Sequence, residues 1–431
     1  MKIGILATAV LAVSCGIASI DTASAGETLG IRLLDAWRYT RIYCALAASD
    51  GGTILAGGTG SYWDHDGDDG LLAKLDADGN FVWKRIFGGS GTDRLLWVMP
   101  ADDGGYIAAG STQSMGYQRG TWLVHVEESG RPLWRRSYDT KAHPGRLVPI
   151  PSGGYAISAG SSILRLGPSG DVLWQRSYSI PVNEYYGTTA LVAASDGGYL
   201  FASGDTCART TGDGELIWIK NLGNLGIRDA CETPDGDFLL VGDGAIVRLD
   251  TAGQLAWAMQ YESAQAEEPH LVFTGIQPDV GGELLVAGSI GYQYWWTRSD
   301  RASCMRIDAS GEIVWQRKLV SEERESKFYS SRPLPSGGFL LGGHIWTMGE
   351  GAGEDGLLVR MTSSGEVGTC SDLFRASAFM ATPLEVTLTD GDPTVTDQAA
   401  PAYVKATGLM ATWEAVSWSP CAGAMEGGGS R

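Results

Sequence analysis

A pair of glycines opening a short apolar run recurs along the chain, as "DGGTILAGG" from Asp50, "DGGYIAAGS" from Asp103, "SGGYAISAG" from Ser152, "DGGYLFASG" from Asp196, "DGDFLLVGD" from Asp235, "GGELLVAGS" from Gly281 and "SGGFLLGGH" from Ser336. Between these runs a second phrase repeats, a turn followed by a tryptophan: "DADGNFVW" from Asp76, "EESGRPLW" from Glu127, "GPSGDVLW" from Gly167, "TGDGELIW" from Thr211, "DTAGQLAW" from Asp250 and "DASGEIVW" from Asp308. Each unit therefore predicts four short strands. The first ends at the glycine pair, the second follows it, the third precedes the second turn, and the fourth carries the tryptophan. Repetition of one supersecondary unit at about 40 to 50 residues is the signature of propeller blades.

The second turn favours Asp first, Pro or a small residue second and Gly always fourth, which is the chemistry of a three-residue hairpin with a left-handed glycine. Eleven residues before each tryptophan stands Leu72, Leu123, Ile163, Cys207, Ile246 or Cys304, and the next residue is Ala73, Val124, Leu164, Ala208, Val247 or Met305. Adjacent strand residues face opposite sides, so the third strand is apolar on both faces. A sheet buried on both faces needs neighbours on both sides, which radially arranged blades provide. On this reading Cys207 and Cys304 are small buried hydrophobes. A basic residue recurs nine positions before the tryptophan: Lys74, His125, Arg165, Arg209, Arg248, Arg306 and, in the last unit, Arg360. Repetition in every unit marks these as structural charges with long apolar stems.

Seven glycine-pair runs meet only six tryptophan hairpins, because Thr369 stands where the last tryptophan belongs. Residues 30–39, "GIRLLDAWRY", read as a fourth strand with no third strand before it. The expectation is an all-β, seven-bladed β-propeller of four-stranded antiparallel blades over residues 26–370, closed by that N-terminal strand so that no sheet edge is left open.

These phrases resemble those of secreted bacterial β-propeller repeat proteins, over roughly residues 30–370. The tryptophan hairpin is also similar to the docking repeat of quinoprotein dehydrogenases and of outer-membrane assembly propellers. It is one residue shorter between Asp76 and Gly79 than in that family, and no adjacent cysteine pair is present, which argues against a bound quinone. The resemblance implies fold and export and is silent on activity.

Composition supports many tight turns: Gly is 61 of 431 residues. Lys2, the uncharged apolar residues 3–18 and Ala23-Ser24-Ala25 before Gly26 read as a signal peptide over residues 1–25, giving a secreted or periplasmic protein. "LAVSC" offers lipid anchoring through Cys15 as the alternative, although Ala12 is smaller than a lipobox prefers. No later stretch approaches the ~20 apolar residues of a membrane span. A formal net charge of -18 argues against nucleic acid and anionic membrane as partners. Residues 371–431, with Pro383, Pro393, Pro401 and Pro420, read as a weakly structured tail bracketed by a Cys370–Cys421 disulfide, and Cys207 with Cys231 is the next pair in line. The protein reads as a monomer.

In such a meander one end of the ring carries the short, uniform hairpins, and the other carries loops of variable length, where function is grafted. The variable end holds Trp63, Tyr294, Trp295, Trp296 and Trp346, a ring platform for glycan, peptide or protein. It also holds His270 and His344, with Glu267 and Glu268 near the first, as candidates for general base chemistry. Asp64, Asp66 and Asp68 alternate as in a calcium loop, but Asp69 replaces the required Gly and no Glu closes the loop, so no cofactor is expected beyond a weak calcium site at these three carboxylates. Two readings follow. One is an exported binding module for glycan or peptide on the variable-loop face. The other is a propeller hydrolase or lyase with its site over the axial channel.

Overall fold

Each unit folds as an antiparallel meander because both of its turns are built for it. In the first unit Tyr39–Ala47 pairs with Thr53–Gly60 across the glycine pair, and Asp69–Leu75 pairs with Phe81–Phe87 across the second turn. The computed structural model describes residues 30–34, 39–60, 67–114, 120–181, 190–263, 270–279, 282–291, 300–319, 325–347, 353–368, 374–375, 379–390, 395–397, 403–405 and 411–412, and no α-helix occurs among them. In the glycine pair, Gly51 adopts φ +81° and a Cβ on Gly52 would lie 2.2 Å from the Leu75 carbonyl oxygen. In this unit neither position suits a side chain, whereas across the repeat only the left-handed first glycine is kept, Asp237 and Glu283 following Gly236 and Gly282.

The repeated tryptophan is answered by the next meander. Trp83 Nε1 donates to the Glu128 carbonyl at 2.9 Å, Trp218 to Thr251 at 3.1 Å, Trp257 to Ala309 at 3.1 Å and Trp315 to Ser363 at 2.8 Å. Each acceptor lies in the second turn of the following unit. The indole also covers that turn's glycine: a Cβ on Gly130 would stand 2.6 Å from Trp83 Cδ2. Turn and tryptophan are thus the two halves of one staple between successive meanders. The Tyr138, Tyr178 and Tyr261 hydroxyls add a second stitch, donating to the carbonyls of Gly170, Gly214 and Gly311.

The recurrent basic residues are structural. Lys74 pairs with Asp50 at 2.7 Å and with Glu128, His125 Nε2 contacts Asp103 at 3.1 Å, and Arg248 Nε donates to Asp237 at 2.8 Å. Arg209 pairs with Asp196, and Arg306 with Asp279. Arg360 reaches from the last unit to the first, donating to the Gly52 carbonyl at 2.9 Å and to Thr53 Oγ1 at 2.7 Å. Each cation holds a glycine-pair turn or ties it to a neighbour.

The result is a β-propeller of small four-stranded antiparallel blades. The innermost strands neighbour one another in a cycle, and Ser326–Pro333 of the last unit packs against Tyr39–Ala47 of the first. Among the described residues the apolar core is divided into layers shared by successive units; Leu340 and Leu358 pack with Ile42, Leu55 and Leu71 in the layer that joins last to first. Gly30–Leu34 pairs antiparallel with Gly353–Met361, placing Leu34 in that same layer.

The expectation of seven separate blades is corrected by the hydrogen bonding. Five blades stand as sheets of their own, and the remaining strands form one nine-stranded sheet. The merger comes from a single parallel pair, Tyr39 with Glu354, which joins the innermost strand of the first unit to the third strand of the last.

The expectation of a weakly structured tail is corrected as well. Phe374–Arg375 pairs with Ile313–Leu319, Phe379–Pro383 with Leu255–Ser263, Thr389–Asp390 with Leu216–Asn221, Val395–Asp397 with Val172–Tyr178, Tyr403–Lys405 with Pro132–Tyr138 and Ala411–Thr412 with Phe81–Phe87. The tail passes the fourth strands in reverse order and adds a fifth strand to each. Those outer edges would otherwise present unpaired backbone groups to solvent.

The disulfide expectation for Cys207 and Cys231 is corrected too: both are unbridged and buried. They lie on different sheets and in different apolar layers, so their side chains serve as core hydrophobes. Burial raises both thiol pKa values, Cys207 to about 12. Cys370 and Cys421 lie outside the described residues.

Candidate functional site

At the variable-loop end, the first, second and last units enclose a cleft of about 290 Å³ lined by Tyr39, Arg41, Tyr43, Gly58, Asp68, Arg94, Trp346 and Glu354. Its polar wall is a row of pairs with one geometry. A basic residue near the start of an innermost strand reaches a carboxylate at the start of the preceding unit's third strand. Arg41 binds Glu354 through two nitrogens, with Nη2 to Oε1 at 2.6 Å, and Arg94 Nε donates to Asp68 at 2.8 Å. Lys327 repeats the arrangement with Asp300 at 2.8 Å, just outside the cleft. The fork of Arg41 on both Glu354 oxygens fixes those two planes in place.

The rings are positioned by irregularities in the ladders. Register shifts between Ile42 and Cys44 and between Phe328 and Ser330 leave Tyr43 and Tyr329 as extra residues on their strands. A bulge re-aims its side chain, and here it turns the two phenols toward each other, 5.3 Å between centroids. Tyr329 in turn stacks on His344 at 5.4 Å, while Trp346 meets Tyr39 edge-on at 5.8 Å.

Electrostatics separates the groups that hold a charge from those that do not. Burial works against the Arg41 cation, but its hydrogen bonds to Glu354 together with the charges of Tyr43, Glu354 and Tyr329 more than offset it and the pKa is raised. Arg94 is likewise raised despite burial, with Tyr43 and Asp68 as the compensating partners. His344 is lowered to about 3 by burial and by Arg41. It is 3 % exposed and its Nδ1 has no hydrogen-bond partner, so it is a neutral packing group. At the cleft's edge Asp69 is raised to about 6 by burial and by the neighbouring Asp93 and Asp68.

Of the residues expected from sequence to bind ligand, Trp346 lies in the cleft. Trp63, Tyr294, Trp295 and Trp296 lie outside the described residues. Among the catalytic candidates, His344 is buried away from solvent, His270 starts a strand with backbone partner Gly291, and Glu267 and Glu268 lie outside the described residues. Asp68, expected as a calcium ligand, is engaged by Arg94, and Asp64 and Asp66 lie outside the described residues. No group of three or more metal-ligating side chains occurs among the described residues.

Sequence reasoning missed Tyr39, Arg41, Tyr43, Arg94 and Glu354. One signal was available. Arg41, Arg94 and Lys327 each stand ten residues before the first glycine of their unit's pair, at Gly51, Gly104 and Gly337, and of the other units only the third carries a basic residue there, His143.

A family profile described as outer membrane protein assembly factor BamB matches residues 68–224 and 159–341, together more than half of the chain. No curated protein is matched. Among solved structures, a protein of unknown function from Bacteroides caccae is similar at 16% identity and TM-score 0.42, covering 61% of this chain and 92% of that one. A glucose dehydrogenase is similar at 12% identity and TM-score 0.37, covering 77% and 99%. PorZ, a surface component of the type-IX secretion system of Porphyromonas gingivalis, is similar at 10% identity and TM-score 0.42, covering 75% and 39%.

Proposed function

The chain belongs to the propeller family described as outer membrane protein assembly factor BamB, and from that premise we propose that it is an exported binding module whose variable-loop end takes a glycan. The observation that carries this reading is the pairing of flat rings with neutralised polar planes in one cleft: Tyr39, Tyr43 and Trp346 beside Arg41–Glu354 and Arg94–Asp68. A saccharide presents an apolar ring face and a rim of hydroxyls that donate and accept at once. Rings accept the face, and locked guanidinium and carboxylate groups accept the rim without demanding a charged ligand.

The reading extends outward to the variable loops, where Trp63, Tyr294, Trp295 and Trp296 would enlarge the platform. The ring we read as seven-fold, with the nine-stranded sheet as two blades joined at Tyr39 and Glu354 and Gly30–Leu34 as the closing outer strand. Export is supported by the leader-like residues 1–25 and by the family's outer-membrane description. The hydrolase or lyase alternative needs a titrating base over the channel, a role for which the buried, neutral His344 is unsuited.

A glycan array with wild-type protein and Trp346→Ala tests the proposal. The expected result is a saccharide class bound by wild type and weakened at least ~10-fold in the variant, the scale of losing one aromatic hot spot. Binding to peptides alone, or glycan binding indifferent to Trp346, would overturn it.

A further inference from the structure

The opposite end of the ring, with its short uniform hairpins, encloses the larger space. A cavity of about 620 Å³ opens at that mouth of the axial channel between the innermost strands of the second to sixth units. Its wall is aliphatic, with Val148, Ile150, Leu191 and Val192 among the lining side chains, and its volume falls in the range of small-molecule sites, ~300–1,000 Å³.

Charge at the inner end of this cavity is unbalanced. Arg146 and Arg332 both lie over the Trp97 ring, 5.3 and 5.8 Å from its centroid. One carboxylate, Asp229, serves this pair, and it is spent on Arg146 Nη1 at 2.5 Å and on the Ile276 amide at 3.1 Å. Arg332 donates to the Ser331 carbonyl at 3.2 Å and lies beside the Cys44 sulfur, with no carboxylate in ion-pair range among the described residues. Burial and the like charge of Arg146 both lower the Arg332 pKa, the direction expected of a cation short of a counter-charge.

Register gives this cation a position equivalent to those of residues that line the cavity, next to the lining Arg146 across the Trp97 ring. Arg332 pairs with the second residue of the next strand, Leu340, the register position that Val148, Val192, Cys231 and Gln277 hold opposite Ala156, Leu200, Leu239 and Leu285, and all four line the cavity. The Gln277 side-chain nitrogen is buried without an acceptor, so a second donor is unsatisfied in the same layer. At the rim Glu232 is occupied by Ser195, through the backbone amide at 2.8 Å and the hydroxyl at 2.9 Å, and Asp102 stands exposed. Rim carboxylates disfavour a second negative charge on the ligand.

We propose that the hairpin-end mouth of the axial channel is a binding site for a small aliphatic monocarboxylate, its carboxylate toward Arg332 and its body along the Val148 and Val192 wall. The same chemistry is presented by a short free fatty acid and by the C-terminal aliphatic residue of a peptide. Calorimetric titration of the full protein with hexanoate, acetyl-leucine and the neutral hexanamide tests this. At least one of the two carboxylates binds, and hexanamide binds at least tenfold more weakly than the tighter of them. Hexanoate alone identifies a free fatty acid, acetyl-leucine alone a peptide terminus. Arg332→Gln abolishes the preference for carboxylate over amide, and Val192→Trp, which puts a bulky ring into the cavity wall, abolishes binding. Failure of both carboxylates to bind, or hexanamide binding equally well, overturns the proposal in the wild-type protein without recourse to any variant. Retention of the preference in folded Arg332→Gln also overturns it. The two clefts share no lining residue, so glycan binding at the opposite end should be unaffected by these substitutions and the two sites stand or fall separately.

Discussion

Replacing Gly130 with Ala, alone and together with Trp83→Ala, measures the staple between successive blades. Gly130 holds φ +76°, and its new Cβ would lie 2.6 Å from Trp83 Cδ2. The left-handed backbone costs an alanine ~1–2 kcal/mol, and forcing a methyl against a packed ring costs ~1–3 kcal/mol more. Gly130→Ala should therefore destabilise by roughly 2–5 kcal/mol. Trp83 is 8 % exposed and donates to Glu128, so Trp83→Ala alone should cost about 3–5 kcal/mol. Once the ring is gone the steric part of the Gly130 penalty has nothing to act on. In the Trp83→Ala background the glycine substitution should cost only its backbone share, so the double variant is about 1–3 kcal/mol more stable than the sum of the singles predicts. Equilibrium urea unfolding of the four proteins, followed by circular dichroism, supplies the cycle. Additivity within ~0.5 kcal/mol would mean that ring and turn do not meet, and the explanation of the tryptophan repeat would fail.

Asp69 holds its proton in the folded state up to about pH 6, whereas the unfolded chain releases it near the ordinary carboxylate value of 3.8, so it lowers stability as pH rises through that window. Asp69→Asn should accordingly stabilise at pH 8, by less than ~3 kcal/mol, and leave stability at pH 3 unchanged, as urea midpoints at the two pH values would report. Asp229→Asn strands the buried Arg146 cation and should cost about 3–5 kcal/mol, with Arg146→Met in the same chain recovering part of the loss in urea unfolding. Truncation after Gly368 uncovers the outer edges of six fourth strands; light scattering should show association of the shortened protein, and an unchanged monomer with the parent's urea midpoint would show that the tail is dispensable.

The blades were legible because their determinants are local. A left-handed glycine, a hairpin turn and a doubly apolar third strand each announce themselves within a few residues, and the recurrent cations proved to serve the turns they sit beside. The tail was not legible. Its strands are two to five residues long, they bond to one edge only, and their partners lie in the first six units, so neither alternation nor proximity marks them. Trp346 could be read as a site residue from its place on a variable loop, yet Tyr43 could not, since a bulge that turns it depends on pairing with Thr53–Gly60. Cys207 answered to two readings in sequence, as core residue and as bridge partner. Its place among Ala202, Val247 and Leu240 decides for the core.

The most direct test of the central claim is a crystal structure of the protein with the best saccharide found on the array. A sugar ring should lie against Trp346 and Tyr39, with hydroxyls within hydrogen-bond distance of the Arg41–Glu354 and Arg94–Asp68 pairs. A saccharide seated elsewhere on the ring, with this cleft empty at saturating ligand, would contradict it.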